Sequence, residues 1–179
     1  MTVIKDSGDR TEFATGAVRD IQKGKGACNL MPLDVVAGIY ADYSCELPVA
    51  KETIVAIFNL FEDFKEKGEV YCLYNILCSF VTGKAFGDME WETMLLEVSK
   101  HFEAGAEKYG ENNWQKGLPV KCYINSAVRH YLKWLRGDKD EPHDRAFVWN
   151  ILCCIWTCKH KPELNDYAKK EGESDAAEL

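Results

Sequence analysis

Residues 51–68 read KETIVAIFNLFEDFKEKG. Ile54, Ile57, Phe58, Phe61 and Phe64 recur at helical spacing, and Glu and Lys fill the other face. This is the period of a helix with one buried face. The same period returns along the chain. Val70, Leu73, Ile76, Leu77, Phe80 and Val81 carry it until Gly83. A helix from about Trp91 to Tyr109 has Met94, Leu95, Val98 and Phe102 as its buried stripe and Gly110 as its stop. A helix from about Val120 to Leu135 carries Tyr123, Ala127, Tyr131 and Trp134, and Gly137 ends it. The last runs from about His143 to Cys158. No segment shows the sustained alternation of a strand, so the fold predicted is all-α, a compact bundle of four to five helices.

The flanks read differently. Gly8, Gly16, Gly24 and Gly26 make the N-terminal third loop-like, although Val35 to Tyr40 after Pro32 suits a short helix. GKAFGD, 83–88, reads as a turn. Past Lys159 the chain is charged, and 161–179 is expected to be a flexible tail. With 179 residues and 46% hydrophobic composition, the chain has mass for one domain and one core. The first ten residues are polar and charged, which predicts no signal peptide and a cytoplasmic protein. In that compartment the eight cysteines are thiols, and Cys153, Cys154 and Cys158 read as core residues. No apolar run approaches the ~18 residues of a membrane span. A net charge of -7 argues against nucleic acid or an anionic membrane as partner, but not against a small anion held by a local cluster or a metal.

Four stretches could carry chemistry. In FEAGAEKYGENNWQKG, 102–117, Glu103 and Glu107 share one helix face; like charges four apart suit a divalent metal or solvent. In YINSAVRHYLKWLRG, 123–137, Arg129 and His130 stand beside Trp134. Arginine suits phosphate and an aromatic ring suits a base, while Trp134 equally suits the core and Lys133 and Arg136 a helix terminus. In DKDEPHDRAFVWN, 138–150, Asp138, Asp140, Glu141 and Asp144 surround His143, as hard-cation ligands or as acids in a helix's first turn. His143, Phe147 and Asn150 fall on one face of that helix. TGAVRDIQKGKG, 15–26, offers Arg19, Lys23 and Lys25 among glycines that could wrap phosphate, without P-loop spacing.

In this order, FATGAVRD and GKGACNLMP, FEAGAEKYGENNWQKG, YINSAVRHYLKWLRG and DEPHDRAFVWN resemble the dATP/dGTP diphosphohydrolase family of bacteriophages, the MazZ type, related in activity to MazG-like nucleotide pyrophosphohydrolases. The resemblance covers about 13–33 and 91–157, with 41–90 as a helical insertion. It implies an enzyme that uses Mg²⁺ or Mn²⁺ to split a purine deoxynucleoside triphosphate into monophosphate and pyrophosphate, adjusting the nucleotide pool in the infected cell's cytoplasm. A homo-oligomer, dimer or tetramer, is implied as well. By the same resemblance Glu103, Asp140 and His143 would be catalytic. Glu103, Glu107, Asp140 and Glu141 would bind metal. Arg19, Lys25, Lys108 and Arg129 would meet phosphates, and Tyr109, Asn113, Trp114, His130 and Asn150 would line the pocket.

Two rival readings come from the residues themselves. His143-Asp144 is an HD dipeptide, and with His101 or His130 and Asp166 it would make an HD-type phosphohydrolase. A non-enzymatic protein could instead bind a host factor through Phe58, Phe61, Phe64, Tyr71 and Tyr74.

Overall fold

The structure, a computed structural model, describes residues 10–20, 50–82 and 91–167. Five helices dominate it: α1 (Lys51–Lys67), α2 (Val70–Thr82), α3 (Trp91–Tyr109), α4 (Val120–Arg136) and α5 (His143–His160). Short 3₁₀ turns at Asn113–Lys116 and Pro162–Leu164 join or follow them. The helical periods therefore fall where the sequence places them. The expected helix at 35–40, the GKAFGD turn, Lys25 and the last residues of the tail lie outside the described residues.

One core holds the bundle. Ile54, Ile57, Phe58, Phe61 and Phe64 of α1 are fully buried, as their spacing requires. They meet the interior of the other helices through aromatic rings. Phe58 lies 5.4 Å from Tyr131 of α4, and Phe80 of α2 lies 4.5 Å from Phe147 of α5. The phenylalanines that could have made a docking surface are thus core, and only Tyr71 and Tyr74 of that set are exposed. Trp134 packs at 5.2 Å on Phe80, so it belongs to this core too. Helix α5 packs against α2, α3 and α4. A helix enclosed on so many sides has no wet face, which is why its apolar residues show little one-sidedness. Cys153, Cys154 and Cys158 fill it as buried free thiols.

Three expectations need correction. Leu95 is nearly half exposed, although it was placed on the buried stripe of α3. The stripe is set by Met94 and Val98, four residues apart, and Leu95 sits about 100° around the helix from the first of them. The N-terminal segment is not wholly loop: Arg10–Glu12 and Val18–Asp20 form an antiparallel hairpin, β1 and β2. Strands of three residues are too short to alternate visibly. Their turn is closed by Phe13 N–H to Ala17 O at 2.9 Å, with Gly16 at φ 76°, a left-handed conformation glycine adopts without strain. Nor is the chain loose from residue 161. Tyr167 packs on Phe64 at 5.6 Å and Asn165 Nδ2 donates to Gly68 O at 3.0 Å, so the first turn after α5 closes the base of the bundle.

If α1 and α2 are integral to the core, Phe80→Ala should cost about 3–5 kcal/mol. Tyr71→Ala, at an exposed site, should stay within about 0.5 kcal/mol. Urea unfolding of both variants checks this, and a small loss for Phe80→Ala would show that the two helices are dispensable.

Candidate active site

A cavity of about 850 Å³ opens between the hairpin, α3, α4 and the turn into α5. Local chain signals position its walls. Gly110 stops α3 with its N–H on Ala106 O at 2.8 Å, so the chain turns and Asn113 and Trp114 fold back beside the helix. Gly137, at φ 83°, stops α4 and sends the acidic turn 138–142 back along it. The hairpin closes the remaining side. Thr15 Oγ1 donates to Gly117 O at 2.7 Å, and Asn113 Nδ2 donates to Val18 O at 3.3 Å.

Arg19 is the cation of this wall. It is half-buried, and its guanidinium donates to Cys122 O at 2.9 Å, to Asn150 Oδ1 at 3.4 Å and to Ser126 Oγ. All three acceptors are neutral. Burial pulls its pKa below the ordinary arginine value, partly offset by nearby groups that include Asp20. Arg129 donates to the same Ser126 Oγ at 2.8 Å, so two guanidinium groups converge on one hydroxyl at the cavity wall.

A second wall is aromatic. Phe102 lies 5.5 Å from Trp114 and 5.8 Å from Trp149, and all three line the cavity. Of the lining residues, Asn113 and Trp149 each bury a polar atom, Oδ1 and Nε1, with no hydrogen-bond partner. An acceptor and a donor left so beside flat rings suit a planar heterocycle with polar edges.

The third wall carries imidazoles and acids. His130 Nδ1 lies 3.0 Å from His143 Nδ1, and Glu141 Oε1 lies 3.4 Å from each. His143 Nε2 faces Asp140 Oδ1 at 2.8 Å, and Lys133 Nζ donates to Asp140 Oδ2 at 3.0 Å. Lys133, then His143, hold the Asp140 carboxyl well below the usual range. Burial and then Arg129 push His130 down to about 2, which keeps it neutral. His101, packed on Trp149 at 5.5 Å, is pushed down to about 4 by burial and then Arg145. Two groups of side chains could hold an ion among the described residues: His130, Glu141 and His143, and Asp138, Asp140 and His143.

The structure thus brings most of the anticipated residues together. Arg19, Glu103, Tyr109, Asn113, Trp114, Arg129, His130, Asp140, Glu141 and Asn150 all line the one cavity. Three others take different places. Lys108 is bound to Asp20, 3.0 and 3.1 Å from its two oxygens, and does not line the cavity; Tyr109 donates to the same carboxylate at 2.6 Å. Glu107 is exposed and does not line the cavity, being rotated about 40° round α3 from Glu103. His143 is buried behind His130 and Glu141. Neither exposed Glu103 nor Glu107 joins a metal-capable group. The HD set is not assembled either: Asp166 accepts from Lys121 N at 3.0 Å, and neither it nor Asp144 is in a metal-capable group. Sequence reading missed Asp20 and Trp149, and gave His101 to the HD set, Phe102 to the core and Lys133 to a helix terminus, although all five line the cavity. Asp20 sits inside the quoted FATGAVRD motif, whereas the rings carry no signal that separates them from core.

The depressed histidines make stability pH-dependent. Because His101 titrates near 4 when folded and near 6.5 when unfolded, the unfolded chain binds more protons below pH 6.5. Stability is therefore kept above that pH and falls as pH drops toward 4, by on the order of 3 kcal/mol for this group. Chemical denaturation at pH 7 and 4.5 should show a smaller drop for His101→Gln than for the wild type. Equal drops would contradict the assignment.

Residues 83–167 match the family model described as dATP/dGTP diphosphohydrolase, N-terminal. The matched segment holds α3, α4, α5 and every metal-capable side chain above, and leaves the hairpin, α1 and α2 outside it. No curated protein and no solved structure matches the chain. Among the described residues no helix is long and apolar enough to cross a membrane. Through residues 83–167, which supply most of the cavity wall, the chain is similar to the dATP/dGTP diphosphohydrolase family, a family of enzymes.

Proposed function

We propose that the protein hydrolyses purine deoxynucleoside triphosphates, dGTP or dATP, to the monophosphate and pyrophosphate with help from a divalent ion. The observation that carries this reading is Arg19, a desolvated guanidinium bonded to neutral oxygens on the wall of a nucleotide-sized cavity. An anion entering there meets two guanidinium groups already positioned, so little ordering cost remains. The aromatic wall takes the base, and Asn113 Oδ1 and Trp149 Nε1 offer an acceptor and a donor to its edge.

The residues fit a divalent ion. His130 and Glu141 at the wall and His143 just behind them bring two imidazoles and a carboxylate together near the arginines, a nitrogen and oxygen donor set that suits a divalent ion. His130, Glu141 and His143 would hold the ion, Asp140 would orient His143, and Glu103 stands at the cavity without belonging to that group. When bound, the ion offsets phosphate charge and acidifies water. The chain's own residues do the rest. Arg19 and Arg129 hold phosphate oxygens and favour the charge that builds on them. Glu103 accepts a proton from the attacking water. Water oxygen bonds to the α phosphorus, and the bridging oxygen leaves with pyrophosphate.

Incubating the chain with dGTP, dATP and the four ribonucleotides, with Mg²⁺ or Mn²⁺, should release pyrophosphate and a purine deoxynucleoside monophosphate. Glu103→Gln should lower kcat by roughly 10²–10⁴ if it is the base. Release of phosphate or triphosphate would favour the HD-type reaction, and no turnover of any nucleotide would leave a binding protein.

A further inference from the structure

The turn from α4 to α5 does more than close the cavity. Six residues, 137–142, bring His143 at the start of α5 back against His130 in the body of α4. Glu141, inside that turn, completes a triangle. Its sides are 3.0 Å between the two Nδ1 atoms and 3.4 Å from Glu141 Oε1 to each. Adjacent donors about 2.1 Å from one ion are separated by roughly 3.0–3.4 Å, whether the geometry is octahedral or tetrahedral. Two lone pairs and a carboxylate oxygen so close repel one another unless a proton or a cation lies among them.

Hydrogen bonding sorts the two ring nitrogens. His143 Nε2 faces Asp140 Oδ1 at 2.8 Å, a carboxylate that can only accept, so Nε2 is the donor and Nδ1 is the nitrogen turned to His130 and Glu141. Asp140 is held in turn by Lys133 at 3.0 Å. This carboxylate–histidine pairing is how proteins orient a metal-binding imidazole. His143 is 2% exposed, so its ring cannot reorient to solvent. His130 and Glu141 line the cavity, so the open side of the triangle faces the space where a phosphate would lie.

We propose that His130 Nδ1, His143 Nδ1 and Glu141 Oε1 form a centre for one divalent first-row transition ion, of the Mn²⁺ or Co²⁺ class, and that Asp140 is a positioning residue rather than a ligand. Two nitrogen donors disfavour Mg²⁺, which takes oxygen ligands and sheds water reluctantly. The alternative group, Asp138, Asp140 and His143, uses the other nitrogen of the same ring. Its carboxylates are already engaged: Arg136 holds Asp138 at 2.7 and 2.5 Å, and Lys133 holds Asp140. An ion there would have to break two ion pairs, whereas one at His130, Glu141 and His143 breaks none of them. The centre deepens the functional reading above by naming the ion, yet it is measured without nucleotide, so the two can fail separately.

The test is titration of the metal-stripped full chain with Mn²⁺ alone, followed by loss of the free-ion electron paramagnetic resonance signal, with Mg²⁺ as competitor. Mn²⁺ avoids the free thiols that would confuse a zinc titration. One Mn²⁺ per chain is expected, bound at least tenfold tighter than Mg²⁺. Glu141→Gln, at a partly exposed position, should weaken it at least tenfold with the fold intact by circular dichroism. Asp140→Asn should weaken it about 10–100-fold. Asp138→Asn should leave it unchanged. Failure of folded protein to take up Mn²⁺, displacement by equal Mg²⁺, an unchanged Glu141→Gln affinity, or a loss in Asp138→Asn matching that in Glu141→Gln would each overturn the centre.

Discussion

The grip of Arg19 on α4 and α5 is the interaction on which the site depends. A two-stranded hairpin of three-residue strands has no stability of its own in water. It is pinned here because one guanidinium reaches Cys122 O and Ser126 Oγ on α4 and Asn150 Oδ1 on α5. Ala17, fully buried, and Phe13 add an apolar anchor, and the Lys108–Asp20 ion pair ties the strand to the end of α3. Remove the hairpin and the cavity loses a wall. The same side chain therefore both builds the cavity and charges it.

That arrangement explains why polar groups sit inside an otherwise apolar helix. Helix α5 is enclosed by neighbours, and its interior is mostly Phe147, Val148, Ile151 and cysteine. His143 and Asn150, two turns apart on one face, are exceptions, with Thr157 a third farther along. Asn150 satisfies itself through Ala146 O at 2.7 Å while its oxygen turns to Arg19. His143 is satisfied by Asp140. Buried polar residues cost stability unless paired, and both of these are paired at the edge of the cavity, not deep in the bundle.

The helices were legible because apolar side chains must recur every three to four residues to face one core, and Ile54 through Phe64 do so without interruption. The glycine stops were legible for an equally local reason: Gly68, Gly110 and Gly137 all take positive φ. The hairpin was not, since its pairing joins residues six to ten apart through only three pairs of residues. Within the site, Arg19, Asn113, Trp114, Arg129 and Asn150 were found through motif resemblance, and the cavity gathers them. The ligand geometry was beyond reach. Glu103 and Glu107 look like a metal pair in one dimension, but helix rotation leaves Glu107 outside the cavity. His130 and Glu141, on different elements, become neighbours only after Gly137 reverses the chain.

Charge is arranged in opposition within a small space. A chain of net charge -7 presents two arginines and Lys133 in the same cavity as Asp20, Glu103, Glu111, Asp140 and Glu141. Such a cavity suits a ligand that brings its own anionic and cationic parts, as a metal-bound triphosphate does. The central claim is that Arg19 is desolvated for that ligand. Equilibrium binding of a non-hydrolysable purine deoxynucleoside triphosphate should be compared between the wild type and Arg19→Met, with thermal unfolding of each. Loss of at least tenfold in affinity, in a variant that still melts cooperatively, is the expected result, since hydrogen bonds to a charged group contribute about 1.5–3 kcal/mol. Unchanged affinity in the folded variant would contradict the account.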